Sequence, residues 1–330
     1  MSRSGAFMRA SGKHRQRGVA LVMAVLIVAL ATILAAEVGF RGYLDQRRTV
    51  NTFSADQAFE IAMGGEAWAS DALRRDKMQG GKNTDDFTEE WATPIPPIPL
   101  EDVGGEFEGQ LEDMQGRFNL NDLVTFDQAG VSTINPQAVE RFQRLLTLLE
   151  IEPKWAGYIA DWIDSDNNAG FPDGAEDPVY TNLSPPYRTA NMAITRASEL
   201  LALPEFGAER YRKLAPFVTA LPPGQKINLC TASPELLDAL IGDNREFTLG
   251  REAGKQTRAQ RCFPTTQEFE QSLSNDRKQE LANMLGESSD YFLATIWVTL
   301  GTQRFTLYSL LYRSGGANQV RPILRSYGTL

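Results

Sequence analysis

Six carboxylates, Asp161, Asp164, Asp166, Asp173, Glu176 and Asp177, fall within seventeen residues, DWIDSDNNAGFPDGAED at positions 161–177. Gly170, Pro172 and Gly174 mark the segment as a loop. Carboxylates about 4 Å apart repel by on the order of 1 kcal/mol per pair in water, and by more when buried. No Lys or Arg lies between Lys154 and Arg188, so local salt bridging is unavailable. Dispersal into solvent and a bound cation remain as the two remedies. The donors are hard oxygens, which suit calcium, with its six to eight oxygen ligands, better than zinc, which prefers N or S. Asp164-Ser165-Asp166-Asn167-Asn168 opens like an EF-hand loop. The glycine and glutamate then arrive one position late, Gly170 at seven and Glu176 at thirteen, so the loop is not an EF-hand. A pair of carboxylates could also hydrolyse a glycosidic bond. Acids this close together on a Gly/Pro loop suit coordination better than a rigid acid–base pair, and no phosphate-cradling loop or G-x-S-x-G elbow is present. The expectation is a binding loop and not an enzyme.

The rest of the chain narrows the chemistry further. Its single histidine, His14, lies in the N-terminal leader, so residues 19–330 have no imidazole base, no His-based triad and no His-ligated zinc. The formal charge is −9, and −14 without the five leader cations (28 basic against 42 acidic residues), which argues against nucleic acid as a partner. The two cysteines, Cys230 and Cys262, form an even pair on the exported side of the chain, where pairing is favoured over two separate thiols.

The positioning elements begin with Arg3, Arg9, Lys13, Arg15 and Arg17, followed by VALVMAVLIVALATILAA at residues 19–36, eighteen residues without a charge. Helical rise gives that run about 27 Å, enough to cross a bilayer's hydrocarbon core. The basic side stays cytoplasmic and the remainder faces outward. The helical pattern continues to residue 75 with Phe40, Leu44, Ala55, Phe59, Ala62 and Leu73 as apolar positions, no proline before Pro94, and Gly64-Gly65 as a place to bend. Residues 93–105 are a Pro/Gly-rich connector that cannot be regular helix. Residues 106–124 read as strand pieces with a turn at Gln115-Gly116. Asn135-Pro136 caps a helix to about residue 151, a second short helix runs into the acidic loop, and residues 197–203 and 205–214 suggest further helix. The C-terminal stretch alternates as three antiparallel strands. Gly116–Leu120 is echoed by Gly224–Leu229, each followed by an Asn-Pro or Ser-Pro helix start, and the echo is read as scaffold.

The leader ending in Arg15-Gln16-Arg17-Gly18 before an unbroken apolar helix resembles type IV prepilins and the pseudopilins of type II secretion. That resemblance implies cutting by a prepilin peptidase between Gly18 and Val19, and methylation of the new N-terminal Val19. It further implies packing of the apolar helix against copies of itself. Most members have glutamate at the fifth mature position, where this chain has Met23. The acidic loop, followed by PPYRTANMAITRASELLAL, resembles protein K of the type II secretion system, the largest minor pseudopilin, whose subtype lacks that glutamate. The match covers most of the chain and is least distinctive over residues 240–285.

It implies an α+β fold: a pilin-like long N-terminal helix packed on an antiparallel sheet, with a large, mostly helical insertion domain. The expected divisions are residues 1–18 (leader), 19–75 (stem), 76–124 (connector and first strands), 125–285 (insertion) and 286–330 (last strands). It also implies two structural Ca²⁺ ions. Asp164, Asp166, Glu176 and Asp177 are the ligands expected, and Asp161, Asp173 and Asn191 are further candidates. Asp161 has an alternative place, facing inward beside Trp162. Expected partners are the minor pseudopilins I and J, then H and the major pseudopilin G, with exported substrates as further contacts. Expected placement is the inner membrane with a periplasmic body, in a pseudopilus whose tip the chain caps and whose assembly it promotes and limits. A tip adhesin or minor pilin of a type IV pilus is the alternative.

Overall fold

The structure, a computed structural model, describes residues 17–79, 84–170, 172–242, 245–314 and 319–329. The expected leader falls outside these except for its last two residues. The first element, α1 (Arg17–Gln79), is one continuous helix running beyond the expected end at 75, uninterrupted at Gly64-Gly65. The chain divides into two compact units, residues 1–57 and 58–330. In the first, the apolar run of α1 is exposed, Val19 at 65% and Leu26 at 62%. This is the one helix among the described residues long and apolar enough to cross a membrane.

In the second unit, the end of α1 lies on a five-stranded antiparallel sheet. A stripe of apolar residues, Ala58, Ala62, Ala69 and Leu73, buries against Phe292, Ala294, Ile296, Val298, Leu307 and Leu311. Their spacing keeps them on one helix face. Gly65 belongs to the same face, and a Cβ there would overlap the ring of Phe107, so the absence of a side chain lets helix and sheet meet. The sheet begins with β1 (Ile95–Leu100) and β2 (Gly105–Asp113). The proline-rich connector is thus an edge strand, the place in a sheet where missing amide donors cost least.

The chain then leaves the sheet. Short strands β3 (Phe118–Asn119), β4 (Val124–Phe126) and β5 (Ser132–Ile134) precede α2 (Pro136–Leu148), α3 (Trp155–Ile163) and the single turn α4 (Asp177–Tyr180). A 3-10 helix at Ala197–Ala202 leads to α5 (Gly207–Leu214), β6 (Val218–Thr219) and β7 (Ile227–Asn228). Next come α6 (Pro234–Ile241), α7 (Glu246–Leu249), α8 (Arg251–Arg258), α9 (Thr266–Gln271), α10 (Asn275–Leu281) and β8 (Leu285–Gly286). Finally β9 (Tyr291–Leu300), β10 (Gln303–Arg313) and β11 (Val320–Tyr327) complete the sheet in the order β1-β2-β9-β10-β11.

Asp113 of β2 pairs with Phe292 of β9, so the intervening chain is an insertion between neighbouring strands. Its boundaries lie at about 114 and 290, outside the expected 125 and 285. Phe118, Leu120, Leu123 and Val124, expected with the sheet, instead bury in the insertion's own core beside Phe142, Trp155 and Phe206. The second echoed segment touches the residue just before the first: the Asn228 backbone amide donates to the Gln115 carbonyl, and Gln115 Nε2 donates to the Lys226 carbonyl. Cys230 and Cys262 are bonded within the insertion, both buried, with Cα atoms 4.7 Å apart.

A polar node ties the insertion to the sheet and stem. The buried Asp113 carboxylate accepts from Asn228 Nδ2 (2.8 Å), the Thr231 hydroxyl (2.5 Å) and the Ser289 hydroxyl (2.7 Å). Beside it, the fully buried Arg313 pairs with Asp76 at 2.8 Å and with Asp85, and donates to the Ser289 carbonyl. Removing one partner from such a node leaves a buried charge uncompensated.

Candidate metal centre

Helix α3 ends at Ile163, and Asp164 follows as its C-cap in extended conformation. Asp164 and Glu176 are each only 2% exposed, whereas Asp166 is exposed. One carboxylate oxygen from each of these three lies within 4.8 Å of the others. Asp164 Oδ1 and Glu176 Oε1 are buried without a hydrogen-bond partner, and so is Asn191 Oδ1. Asn191 is held at the same loop: its Nδ2 donates to the Asp166 carbonyl (2.8 Å) and to Asn167 Oδ1 (3.0 Å), and its amide donates to the Trp162 carbonyl. Its φ of +47° is a left-handed backbone that asparagine tolerates better than most residues. Orphaned buried oxygens of this kind cost free energy unless something fills their coordination.

Electrostatics point the same way. Burial first, then Asp166, Asp161 and Glu176, push the Asp164 carboxyl up to about 7. Burial likewise raises Glu176 to about 7, with Asp161 and Asp166 adding to it against the Thr189 hydroxyl. Without a counter-ion the cluster resists full ionisation at neutral pH; a divalent cation removes that resistance. All the donors are oxygen, so the residues fit Ca²⁺.

The other expected ligands lie outside this three-carboxylate group and have contacts of their own. Asp161 is buried and turned into the loop, where it accepts from the amides of Gly170 (2.9 Å) and Ala175 (2.8 Å). It clasps the loop, and Gly174 has no room for a Cβ against it. Asp177 accepts from the Thr189 amide (3.2 Å) and forms an ion pair with Arg188 at 3.7 Å, so one acid does find a cation at the edge of the segment. Asp173 lies outside the three-carboxylate group, its carbonyl pressed against Gly157 of α3. Sequence reasoning missed Thr189, whose hydroxyl is 3.2 Å from Glu176 Oε2. It also missed the buried, unpartnered Trp162 Nε1 and Tyr180 hydroxyl. Asp76, Asp85 and Glu89 form a second carboxylate group. There Arg313 already supplies the counter-charge to two of them, and burial raises Glu89 to about 7.

A family model described as "Type II secretion system (T2SS), protein K" matches residues 116–223, which contain this loop. Type II secretion system protein K of Pseudomonas aeruginosa is 37% identical over 325 residues, covering 96% of this chain and 94% of that protein. The chain belongs to the type II secretion system protein K family.

Protein K of Aeromonas hydrophila is 32% identical over 91% of the chain and 94% of its own length. A chain of the crystal structure titled as the GspK-GspI-GspJ complex from enterotoxigenic Escherichia coli superposes with a TM-score of 0.73 at 26% identity. That match covers 86% of this chain and 100% of the other. As a protein K, the chain has the fold its sequence implied: a long N-terminal helix, an antiparallel sheet and a mostly helical insertion. Gly18 and Val19, where processing is expected, lie in the first turn of α1.

Proposed function

We propose that this protein K is a minor pseudopilin that caps the pseudopilus tip, in complex with minor pseudopilins I and J and above H and the major pseudopilin G. The observation that carries the proposal is the insertion between adjacent strands β2 and β9 on a pilin-like stem, matched over nearly the whole chain by a protein K solved with I and J. A stem offers packing to the subunits below. A body larger than the sheet itself leaves no equivalent seat above, which both starts and limits assembly. Met23 in place of the customary acid suits a subunit with no neighbour's amine ahead of it.

Maturation is proposed to cut between Gly18 and Val19, with methylation of Val19 and the apolar helix left in the inner membrane. The body, acidic loop included, then lies in the periplasm. Calcium is proposed at Asp164, Asp166 and Glu176, with Asn191 Oδ1 completing the set. Its role is to pin the loop between α3 and α4. Asp177 and Asp161 shape the loop from either side; a second ion is proposed nearby.

The full-length chain co-expressed with I and J in detergent is expected to co-purify as a heterotrimer, and mass spectrometry is expected to find a methylated Val19 start. A monomeric K beside a separate I–J pair would overturn the tip reading.

A further inference from the structure

Residues 187–194 return to the acidic loop from beyond α4, and both ends of this segment have anchors outside the loop. At one end the Tyr187 hydroxyl donates to the Ala202 carbonyl at 2.5 Å. At the other, Ile194 is buried and exchanges two hydrogen bonds with the Asn121 side chain. Its amide donates to Asn121 Oδ1 at 2.9 Å, and its carbonyl accepts from Asn121 Nδ2 at 2.9 Å. Ala190, between the anchors, packs against the apolar core of the insertion. These contacts hold the segment without help from the carboxylates.

Two side chains reach the loop from it. Thr189 Oγ1 lies 3.2 Å from Glu176 Oε2 and 3.1 Å from Asp177 Oδ1, and the Thr189 amide donates to the same Asp177 oxygen at 3.2 Å. Two residues on, Asn191 Nδ2 donates to the Asp166 carbonyl and to Asn167 Oδ1. The segment therefore fastens the loop at Asp166 and again at Glu176, ahead of and behind its glycines.

The Thr189 contact decides which oxygen of Glu176 stays open. Glu176 is 2% exposed; its Oε2 is engaged by the hydroxyl, while its Oε1 is buried with no hydrogen-bond partner. Among the described residues, Thr189 is the one side chain that donates to this carboxylate. A hydroxyl donor favours the ionised carboxylate, the form a cation requires. With calcium at Asp164, Asp166 and Glu176 as the premise, we infer that Thr189 is a positioning residue for the ion: its hydroxyl holds Glu176 by Oε2, leaves Oε1 to the cation, and so sets the calcium affinity of the loop. Outer partners of this kind orient metal ligands, and their loss typically lowers metal affinity by about 10- to 100-fold.

The test is isothermal titration of calcium chloride into the full-length chain in detergent, stripped beforehand with EDTA, for the unaltered protein and for Thr189→Val, Thr189→Ala and Thr189→Ser. The valine and alanine variants are expected to bind calcium at least about tenfold more weakly, and the serine variant to stay close to the unaltered chain. Serine and alanine differ only by the oxygen, so their comparison stands even where loss of the threonine methyl lowers stability. Melting in EDTA separates positioning from a merely structural contact: Thr189→Ser and Thr189→Ala should melt together without calcium and part once it is added. Alanine and valine variants that bind calcium as tightly as the unaltered chain overturn the inference, as does a serine variant as weak as alanine. Absence of calcium binding by the unaltered chain is a different result: it overturns the calcium reading itself, and the role of Thr189 with it.

Discussion

Replacing Asp164 and Glu176 by their amides, Asp164→Asn with Glu176→Gln, tests the calcium-holding role proposed for the acidic loop. In the unaltered chain without calcium, both carboxyls are raised from ordinary values to about 7 by burial and by their neighbours. A raised carboxyl favours folding while protonated, so that contribution is complete below the unfolded value near 4 and is lost as pH rises through about 7. At pH 7.5 without calcium the amide variant should therefore melt at the same temperature as the unaltered chain or higher. Calcium reverses the order. A site of the extracellular class, with Kd near 10⁻⁴–10⁻³ M, is filled ten- to a hundred-fold over by about 10 mM calcium and gains roughly 1.4–2.7 kcal/mol. For a body of this size that raises Tm by roughly 3–10 °C, and only in the unaltered chain. Differential scanning calorimetry of the full-length protein in detergent, with EDTA or with calcium at pH 5.5 and 7.5, gives all four comparisons. The calcium increment should be larger at pH 7.5, since protons compete for the same oxygens at pH 5.5. An equal calcium increment in both proteins, or none in either, refutes the assignment of the ion to these residues.

Other outcomes follow from the packing. Arg313→Met strands Asp76 and Asp85 without their cation, and urea denaturation should show a loss of about 3–5 kcal/mol. Replacing Cys230 and Cys262 by serine opens a link 32 residues long; by the chain-entropy estimate the loss is about 3–4 kcal/mol, read as a lower denaturant midpoint. Gly65→Val sets a branched side chain against Phe107 and Ile296. About 1–3 kcal/mol should be lost in the same measurement, while Gly64→Val, where a Cβ meets nothing within 4 Å, should cost less.

Much of the fold was legible because its signals are local. An uncharged run, helical spacing and the absence of proline until Pro94 specify α1. Alternation with Gly301 at the turn specifies β9 and β10. The carboxylates of the loop were visible for the same reason, since Asp164, Asp166 and Glu176 are near neighbours in the chain.

What the sequence determined alone is therefore the stem, the terminal strands, the exclusion of histidine chemistry and the excess of acid at 161–177. The tertiary structure decided which acids face one another. Asp161 was drawn to the amides of Gly170 and Ala175, Asp177 to Thr189 and Arg188, and Asn191 was brought back to Asp166 from 25 residues away. It also decided that residues 114–124 belong to the insertion, and that Arg313 would serve Asp76 and Asp85 across the connector. Hydrophobic period and backbone propensity act over a few residues, so a sequence displays them directly. Burial, orphaned oxygens and charge pairing exist only between surfaces that folding brings together.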